Sequence, residues 1–573
     1  MATTDFKVSG SNNKAPFTLT LHRGEGMTLL AMNWRKGEPP ADLVGFAIEY
    51  RVPGGDRFFP VKNRLAFRGV DGKLNPNALS TRLSPIQKFR WVHFPRDGGN
   101  TGTTLPFTYR VMPVFMDTGG SLSYGEVQEA DIHLQRETVP GQLNVSFTRG
   151  FVSSQAFVDR YQKFGPVSEI LPANAAEGLD FKPTHPKADE ALSWMGFEAR
   201  AAILDVLDQA IADPKAEVKV IAYDLNLPEV VGRLEKLGPR LQIIIDDSGD
   251  HGEDGSAENA AAARLAKTAG ADHVQRQHVL NLQHNKMIVV AGKKAKLVSC
   301  GSTNFSWRGF YVQANNAVIL KGDTPVKVFG DAFDQYWLQP ANQFGQSASA
   351  ANWTALALGD IKPQVTFSPH AKANARLQGI ADDMATTQSS LLYSLAFLYQ
   401  TSGPVRDAIK TLMAKDVFIY GMSDRKVGGL ELDIPGGNRR PVFPDALGKD
   451  APPPFSAEPT GGGGIRMHHK FVVIDFDKPT ARVYLGSYNF SGPADLQNGE
   501  NLLMIKDRRV ATAYMVEALR LFDHYRFRIA QDDAATAQRE LVLQTPPRTR
   551  HEKPWWFDDY HDPIKIKDRL LFA

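Results

Sequence analysis

The chain has 573 residues, 42% hydrophobic and 23% charged, a globular composition that excludes collagen-like, coiled-coil and wholly disordered chains. Its net charge of +3 is too small for a whole-protein field of the kind that marks a nucleic-acid binder. The single cysteine, Cys300, excludes an internal disulfide framework and a Cys-rich zinc site.

Residues 1–10 (MATTDFKVSG) lack the basic start and apolar core of a signal peptide. No run of about 18 apolar residues predicts a spanning helix. The expectation is a cytoplasmic, multidomain protein with no transmembrane segment.

Residues 1–140 read as strands. Short runs at 17–21, 28–34, 44–51, 107–115 and 127–134 are separated by Gly, Pro and Asn clusters, the rhythm of an all-β sandwich. The sequence around Trp34, "GFAIEYR" ending at Arg51 and "FTYRVMPVF" containing Tyr109 resembles a fibronectin type III domain, a module that binds, spaces or covers. Residues 51–100 carry ten basic against three acidic side chains. A solvated face is the simple reading, and a polyanion-binding patch the alternative.

Residues 141–189 read as a linker. From 190 the pattern alternates between helix and strand. A helix at 194–212 precedes a strand at 218–224, a helix near 228–237, a strand at 241–247 and an Ala-rich helix near 257–269. The order restarts with a helix near 371–387, a strand at 391–397, a helix near 403–414 and a strand at 417–422. An α/β unit used twice is the expectation. Residues 424–466 hold 7 Pro and 9 Gly and read as a long loop, either a lid or a plain insertion.

Each copy ends in one pattern. The first reads "LQHNKMIVVAGKKAKLVSCGSTNFS" (282–306) and the second "RMHHKFVVIDFDKPTARVYLGSYNFS" (466–491). Both have His-x-Lys opening an apolar strand, a turn, a second strand, then Gly-Ser-x-Asn-Phe-Ser. "FDQYW" (333–337) and "FDHYR" (522–526) match further on, so the repeat is a duplication. In a strand, positions i and i+2 share a face, so His284 projects with Lys286 and His468 with Lys470. Ser302, Asn304, Ser487 and Asn489 follow the next strand at the same end. Packed about a pseudo-twofold axis, the copies make a cationic, donor-rich, carboxylate-poor cup. Such a cup suits a phosphodiester: Lys and Asn hold the non-bridging oxygens, one His attacks phosphorus and the other protonates the leaving oxygen.

His468-x-Lys470-x4-Asp475 followed by Gly486-Ser487-Tyr488-Asn489 resembles the signature of the phospholipase D superfamily, over roughly residues 190–530. The resemblance implies two α/β halves sharing one active site, a covalent phosphohistidine, and no metal or other cofactor. The first copy departs from it by placing Ala291 where the family has Asp. Position 291 is out of phase with 284 and 286, so the Asp475 role is expected to be structural. Aligned from Gly301 and Gly486, Asn315 falls opposite Glu500, where the family has an acid bonded to the histidine of its own copy. On that reading His468 is paired with Glu500 and protonates, while His284, with only the amide of Asn315, attacks. A decayed first copy is the alternative.

Other features read blandly. His469 faces away from the pair, and Cys300 is a small buried hydrophobe. Arg149 belongs to a linker packing on the sheet, or else lines a channel. "KPWWFDDYHD" (553–562) is a strap in an apolar groove, or else a platform for bases or lipid.

The expected fold class is α/β: two phospholipase D-like halves (190–350 and 351–535) forming one pseudo-twofold catalytic unit. An N-terminal all-β sandwich (1–140) precedes them and a tail (536–573) follows. The expected function is phosphodiester hydrolysis through phosphohistidine, as a nuclease on DNA or RNA. "NFS" after "GSx", with "ENLLMI" at 500–505, is similar to the compact nuclease branch of the superfamily. Nucleic acid is then the partner. A phospholipase D or phosphatidyl transferase acting on phospholipid, and a non-catalytic phosphate binder, are the alternatives. One chain carries both half-sites, so no oligomeric partner is needed for the chemistry.

Overall fold

The computed structural model describes residues 6–69, 78–95, 105–134, 137–172, 178–424 and 466–573. The chain divides into two compact units, one of residues 1–136, 433–439 and 512–573, the other of 137–432 and 440–511.

In the first unit, alternation decides which face is buried. Phe17, Leu19 and Leu21 of the strand Phe17–Arg23 all point into the core, as a period of two requires. That strand belongs to a four-stranded sheet with Lys7–Ser9, Thr28–Trp34 and Arg90–His93. Leu43–Arg51 and Phe107–Met116 centre a five-stranded one. Leu19, Leu21, Phe46, Ile48 and Tyr109, drawn from both sheets, share one buried cluster. This is the all-β part anticipated from the sequence.

Residues 536–573 group with this β unit rather than standing apart as a tail. Trp556 is 5% exposed within the same core, and Trp555, Phe557 and Tyr560 pack against it. Trp555 donates its indole N–H to Leu43 O at 2.8 Å, and Trp556 donates to Pro40 O at 3.2 Å. Buried indoles with satisfied N–H groups are packing elements, so the aromatic run fills an apolar groove.

The second unit holds two seven-stranded sheets of matching order. In the first, Leu143–Phe147, Asn316–Lys321, Lys296–Gly301, Lys286–Ala291, Glu217–Ala222, Leu241–Ile245 and Val274–Arg276 lie side by side. In the second the order is Thr354–Ala355, Lys362–Ser368, Glu500–Lys506, Arg482–Gly486, Lys470–Ile474, Ser390–Leu395 and Phe418–Met422. Each has the parallel pairing of an α/β unit (Glu217–Ala222 on Leu241–Ile245, Ser390–Leu395 on Phe418–Met422) beside antiparallel motif strands. The predicted linker is not bare: Leu143–Phe147 is an edge strand antiparallel to Asn316–Lys321, and Ser154–Tyr161 is helical. Arg149 lies over the rings of Trp194 and Phe197, a packing position. Most of the Pro- and Gly-rich stretch at 424–466 lies outside the described residues.

Register makes the two halves equivalent. Lys286 is opposite Ala222 and Lys470 opposite Leu395, on the corresponding strands. Gly301 and Gly486 end the second motif strands at φ 127° and 143°. A Cβ there would come within 2.6 Å of Asn316 O and 2.2 Å of Asn501 O, so the turn into Ser-x-Asn requires glycine at both places.

Candidate active site

His284 and His468 each stand two residues before the lysine that opens an apolar strand. They are 4% and 3% exposed, with ring centroids 6.2 Å apart. Lys470 Nζ donates to His468 O at 2.8 Å, and Lys286 Nζ donates to His284 O. Each lysine thus curls back over its own histidine, and two cations and two imidazoles converge on one buried place.

The histidines' partners cross between the halves, and the sequence-based pairing has to be corrected. His284 Nδ1 donates to the Glu500 carboxylate at 2.8 and 3.0 Å. His468 Nδ1 donates to Asn315 Oδ1 at 2.8 Å and lies 3.1 Å from Ser302 O. The next layer crosses as well: Asn501 Nδ2 donates to Asn285 Oδ1 at 3.0 Å, and Asn316 Nδ2 to His469 Nδ1 at 3.4 Å. Consecutive residues of each half therefore grip consecutive residues of the other half's His-x-Lys. The neighbours of both Nδ1 atoms are oxygen acceptors. Each Nδ1 therefore carries the proton, and each Nε2 is left for chemistry.

Ser302 donates to Asn315 Oδ1 at 2.9 Å and accepts from Asn316 N at 3.0 Å. Ser487 accepts from Asn501 N at 3.0 Å. Both hydroxyls thus tie the turn to the strand that supplies the crossed partners. Asn304 donates to Asp224 Oδ2 at 2.7 Å. The Oδ1 atoms of Asn304 and Asn489 are buried and accept no hydrogen bond among the described residues, a state that native interiors rarely tolerate away from a site of function.

Asp475 does not face the histidines. At φ 52° it turns its carboxylate to the backbone N–H groups of Gln388, Ser389 and Ser390, at 2.8–3.3 Å, and so ties the start of Ser390–Leu395 to the end of Lys470–Ile474. Ala291 cannot do this in the first half. There Asp213, just ahead of Glu217–Ala222, accepts from Lys294 N at 2.6 Å and Ala295 N at 3.1 Å. The same seam is closed by a carboxylate reaching from the helix end that leads into the opposite strand.

Burial shapes the electrostatics. Desolvation pushes Lys286 down to about 8, although Glu500 and Asp224 favour its charge. Desolvation and Lys286 hold Lys470 well below its ordinary range. His284 is lowered by burial, with Glu500 opposing. His468 is lowered much further, by burial and then by Lys470 and Lys286, with no carboxylate among its leading influences. A site that penalises its own cations is one that an anion stabilises.

Several residues around the pair carry no motif. Tyr223 packs edge-on to His284 at 4.8 Å and to His251 at 4.6 Å, and Lys286 lies over its ring. His251 is half-buried, and its bonds to Asp224 (3.2 Å) and Asp246 (2.8 Å) outweigh desolvation and raise it to about 10. The cup is therefore richer in carboxylates than the motifs implied. Asp224 and Asp246 follow the ends of two adjacent parallel strands, where α/β sheets place ligands, and that was the signal available in the sequence. Asp224, His251 and Glu258 have ligand atoms within 4.8 Å of one another and could hold a metal ion. Protonation of His251 competes with that use. Cys300 is buried, and burial raises its thiol far above the ordinary range.

Residues 207–337 and 384–522 match the family described as cardiolipin synthase, PLD-like domain. These two segments are similar to a phospholipase D-like domain. A 48-residue stretch is 42% identical to a phospholipase D of Rickettsia felis (strain ATCC VR-1525 / URRWXCal2), which is 8% of this chain and 22% of that relative's length. The structure of phosphatidylserine synthase from Haemophilus influenzae Rd KW20 aligns with a TM-score of 0.41 at 13% identity, over 60% of this chain and 92% of its own. Nuc, a phospholipase D family member from Salmonella typhimurium, aligns with a TM-score of 0.21 at 25% identity, over 25% of this chain and 88% of its own. Each matched segment carries one histidine of the pair. Among the described residues no helix is long and apolar enough to cross a membrane.

Proposed function

We propose that the phospholipase D-like unit is a phosphodiesterase working through a covalent phosphohistidine. The crossed bond from His284 to Glu500 is the observation that supports this reading. When His284 Nε2 attacks phosphorus, the P–O bond to the leaving alcohol breaks and the ring becomes cationic. A carboxylate on Nδ1 stabilises that charge far better than an amide oxygen does. His468, with only Asn315 and Ser302 O on its Nδ1, is the acid. The phosphate anion restores its depressed proton affinity, and its Nε2–H protonates the leaving oxygen. Water then attacks the phosphohistidine, gives its proton to His468 and frees His284. Lys286, Lys470, Asn304 and Asn489 hold the non-bridging oxygens, while Ser302, Ser487 and Asn315 position the turns and His468.

Nucleic acid is the proposed substrate class, on the resemblance of the "GSxNFS" and "ENLLMI" segments to compact nucleases. Phospholipid is the second reading, supported by the cardiolipin synthase description of the matched family. The N-terminal sheets are proposed as a fibronectin type III-like accessory module. Purified protein, with His468→Ala as control, is assayed in EDTA on single-stranded DNA, RNA and phosphatidylcholine vesicles. Cleavage confined to vesicles overturns the nuclease reading, and cleavage of nothing overturns both.

A further inference from the structure

The first unit carries a cavity of about 330 Å³ whose walls come wholly from that unit. Five basic side chains line it, Lys88, Arg90, Arg526, Lys565 and Arg569, against three carboxylates, Asp523, Asp559 and Asp568. Arg90 donates to Asp568 at 2.8 Å and to Asp523 at 2.5 Å, so the two nearest carboxylates are already engaged. Lys88 and Arg526, which line the cavity, have no hydrogen-bond or ion-pair partner among the described residues, and neither has Arg64 beside them. Desolvation lowers the proton affinity of Lys88, Asp523 opposes it, and Arg90, Arg64 and Arg526 add to the lowering, yet its side chain stays open to solvent. Phe527 forms an aromatic wall with the Arg64 guanidinium 5.0 Å from its ring centre.

An excess of positive over negative side chains around one space costs stability unless an anion joins them. Arg64 follows the short strand Phe59–Pro60, Lys88 precedes the strand Arg90–His93, and Arg526 lies on the helix Arg508–Thr536. Lys88 and Arg526 therefore present donors to one space from separate elements, with Arg64 beside them over Phe527. Two guanidiniums and an ammonium match the several oxygens and double charge of a phosphate better than a single carboxylate does. The volume is that of a small-ligand pocket. We propose that this cavity binds a small phosphate-bearing anion through Lys88, Arg526 and Arg64, with Phe527 covering the organic part. The basic excess of residues 51–100 is then partly a built site rather than only a solvated face.

The test is calorimetric titration of the full chain with inorganic phosphate, a nucleoside monophosphate and glycerol 3-phosphate. Wild type and Lys88→Gln/Arg526→Gln are compared with a His284→Ala/His468→Ala variant that controls for phosphate at the catalytic pair. Saturable binding that survives in the histidine variant, and weakens by about tenfold or more in the Lys88/Arg526 variant, is expected. Whichever ester outcompetes inorganic phosphate identifies the organic part. Thermal unfolding gives a second readout: phosphate raises the wild-type midpoint but not that of the Lys88/Arg526 variant, which is itself as stable as wild type or more so without ligand. No binding up to about 10 mM, or equal binding by both proteins, overturns the proposal. Phosphodiester cleavage by the Lys88/Arg526 variant is scored separately, so failure here and failure of the proposed activity are distinguishable.

Discussion

Glu500, the first residue of a strand in the second half, accepts the Nδ1 proton of His284 in the first half at 2.8 Å. The imidazole of one repeat is thus held by a side chain 216 positions away in the other.

Glu500→Gln keeps the shape of this bond but removes the charge that supports an attacking imidazole. Turnover is expected to fall by roughly 10²–10⁴-fold with substrate affinity little changed. Steady-state kinetics on a chromogenic phosphodiester checks it. An effect on KM alone would sink the assigned role.

The two histidines are separable by leaving group. With an aryl phosphodiester, whose leaving group needs no proton, His468→Ala is expected to retain a burst of product and accumulate phosphohistidine on His284. His284→Ala gives neither. Peptide mapping of acid-quenched, labelled protein decides, and label on His468 would reverse the assignment.

Anion binding should track the buried lysines. Free Lys286 loses its proton as pH rises through about 8, and a bound phosphate stabilises the charged form, so binding takes up protons. Affinity for inorganic phosphate at the catalytic pair is expected to decline above about pH 8. Titration in buffers of differing ionisation enthalpy reports the proton uptake directly, and proton release would contradict the electrostatics described.

His251 bears on metal dependence. Held as a cation between Asp224 and Asp246, it leaves its cluster a poor ligand set near neutrality. Hydrolysis is expected to be unchanged by EDTA. A loss of activity restored by a divalent cation, and abolished by His251→Gln, would show instead that Asp224, His251 and Glu258 hold a metal.

Asp475→Ala removes several backbone acceptor bonds at a site 1% exposed and is expected to cost about 2–3 kcal/mol of stability. Asp213→Ala is expected to destabilise in the same direction. Denaturant unfolding measures both. Catalysis by the folded fraction should persist, since neither carboxylate is bonded to the histidine pair.

The repeat was legible because its chemistry recurs in a fixed frame. His-x-Lys, the apolar strand and Gly-Ser-x-Asn place themselves once strand parity is applied, and Lys286 and Lys470 stand at equivalent register positions. The crossing of Glu500 and Asn315 was not legible, because aligning copies pairs each residue with its own repeat, while a twofold arrangement delivers it to the other. Asp213 was hidden for a related reason. Ala291 announced a missing acid, but its replacement came from a helix end far away in sequence. The edge strand Leu143–Phe147 is only five residues long and flanked by polar ones, too little periodicity to separate it from a linker. The aromatic run around Trp556 was legible as a strap, though not which core it completes.

The crossed grips at Glu500–His284 and Asn315–His468 also bear on how such a chain can change over generations. A duplicated gene segment usually leaves one copy free to decay. Here each repeat holds the histidine of the other, so damage to either is expected to reach both, and the two would stand as a single target for selection. Ala291 stands where no such cross-repeat bond is made, and Asp213 supplies the local carboxylate instead.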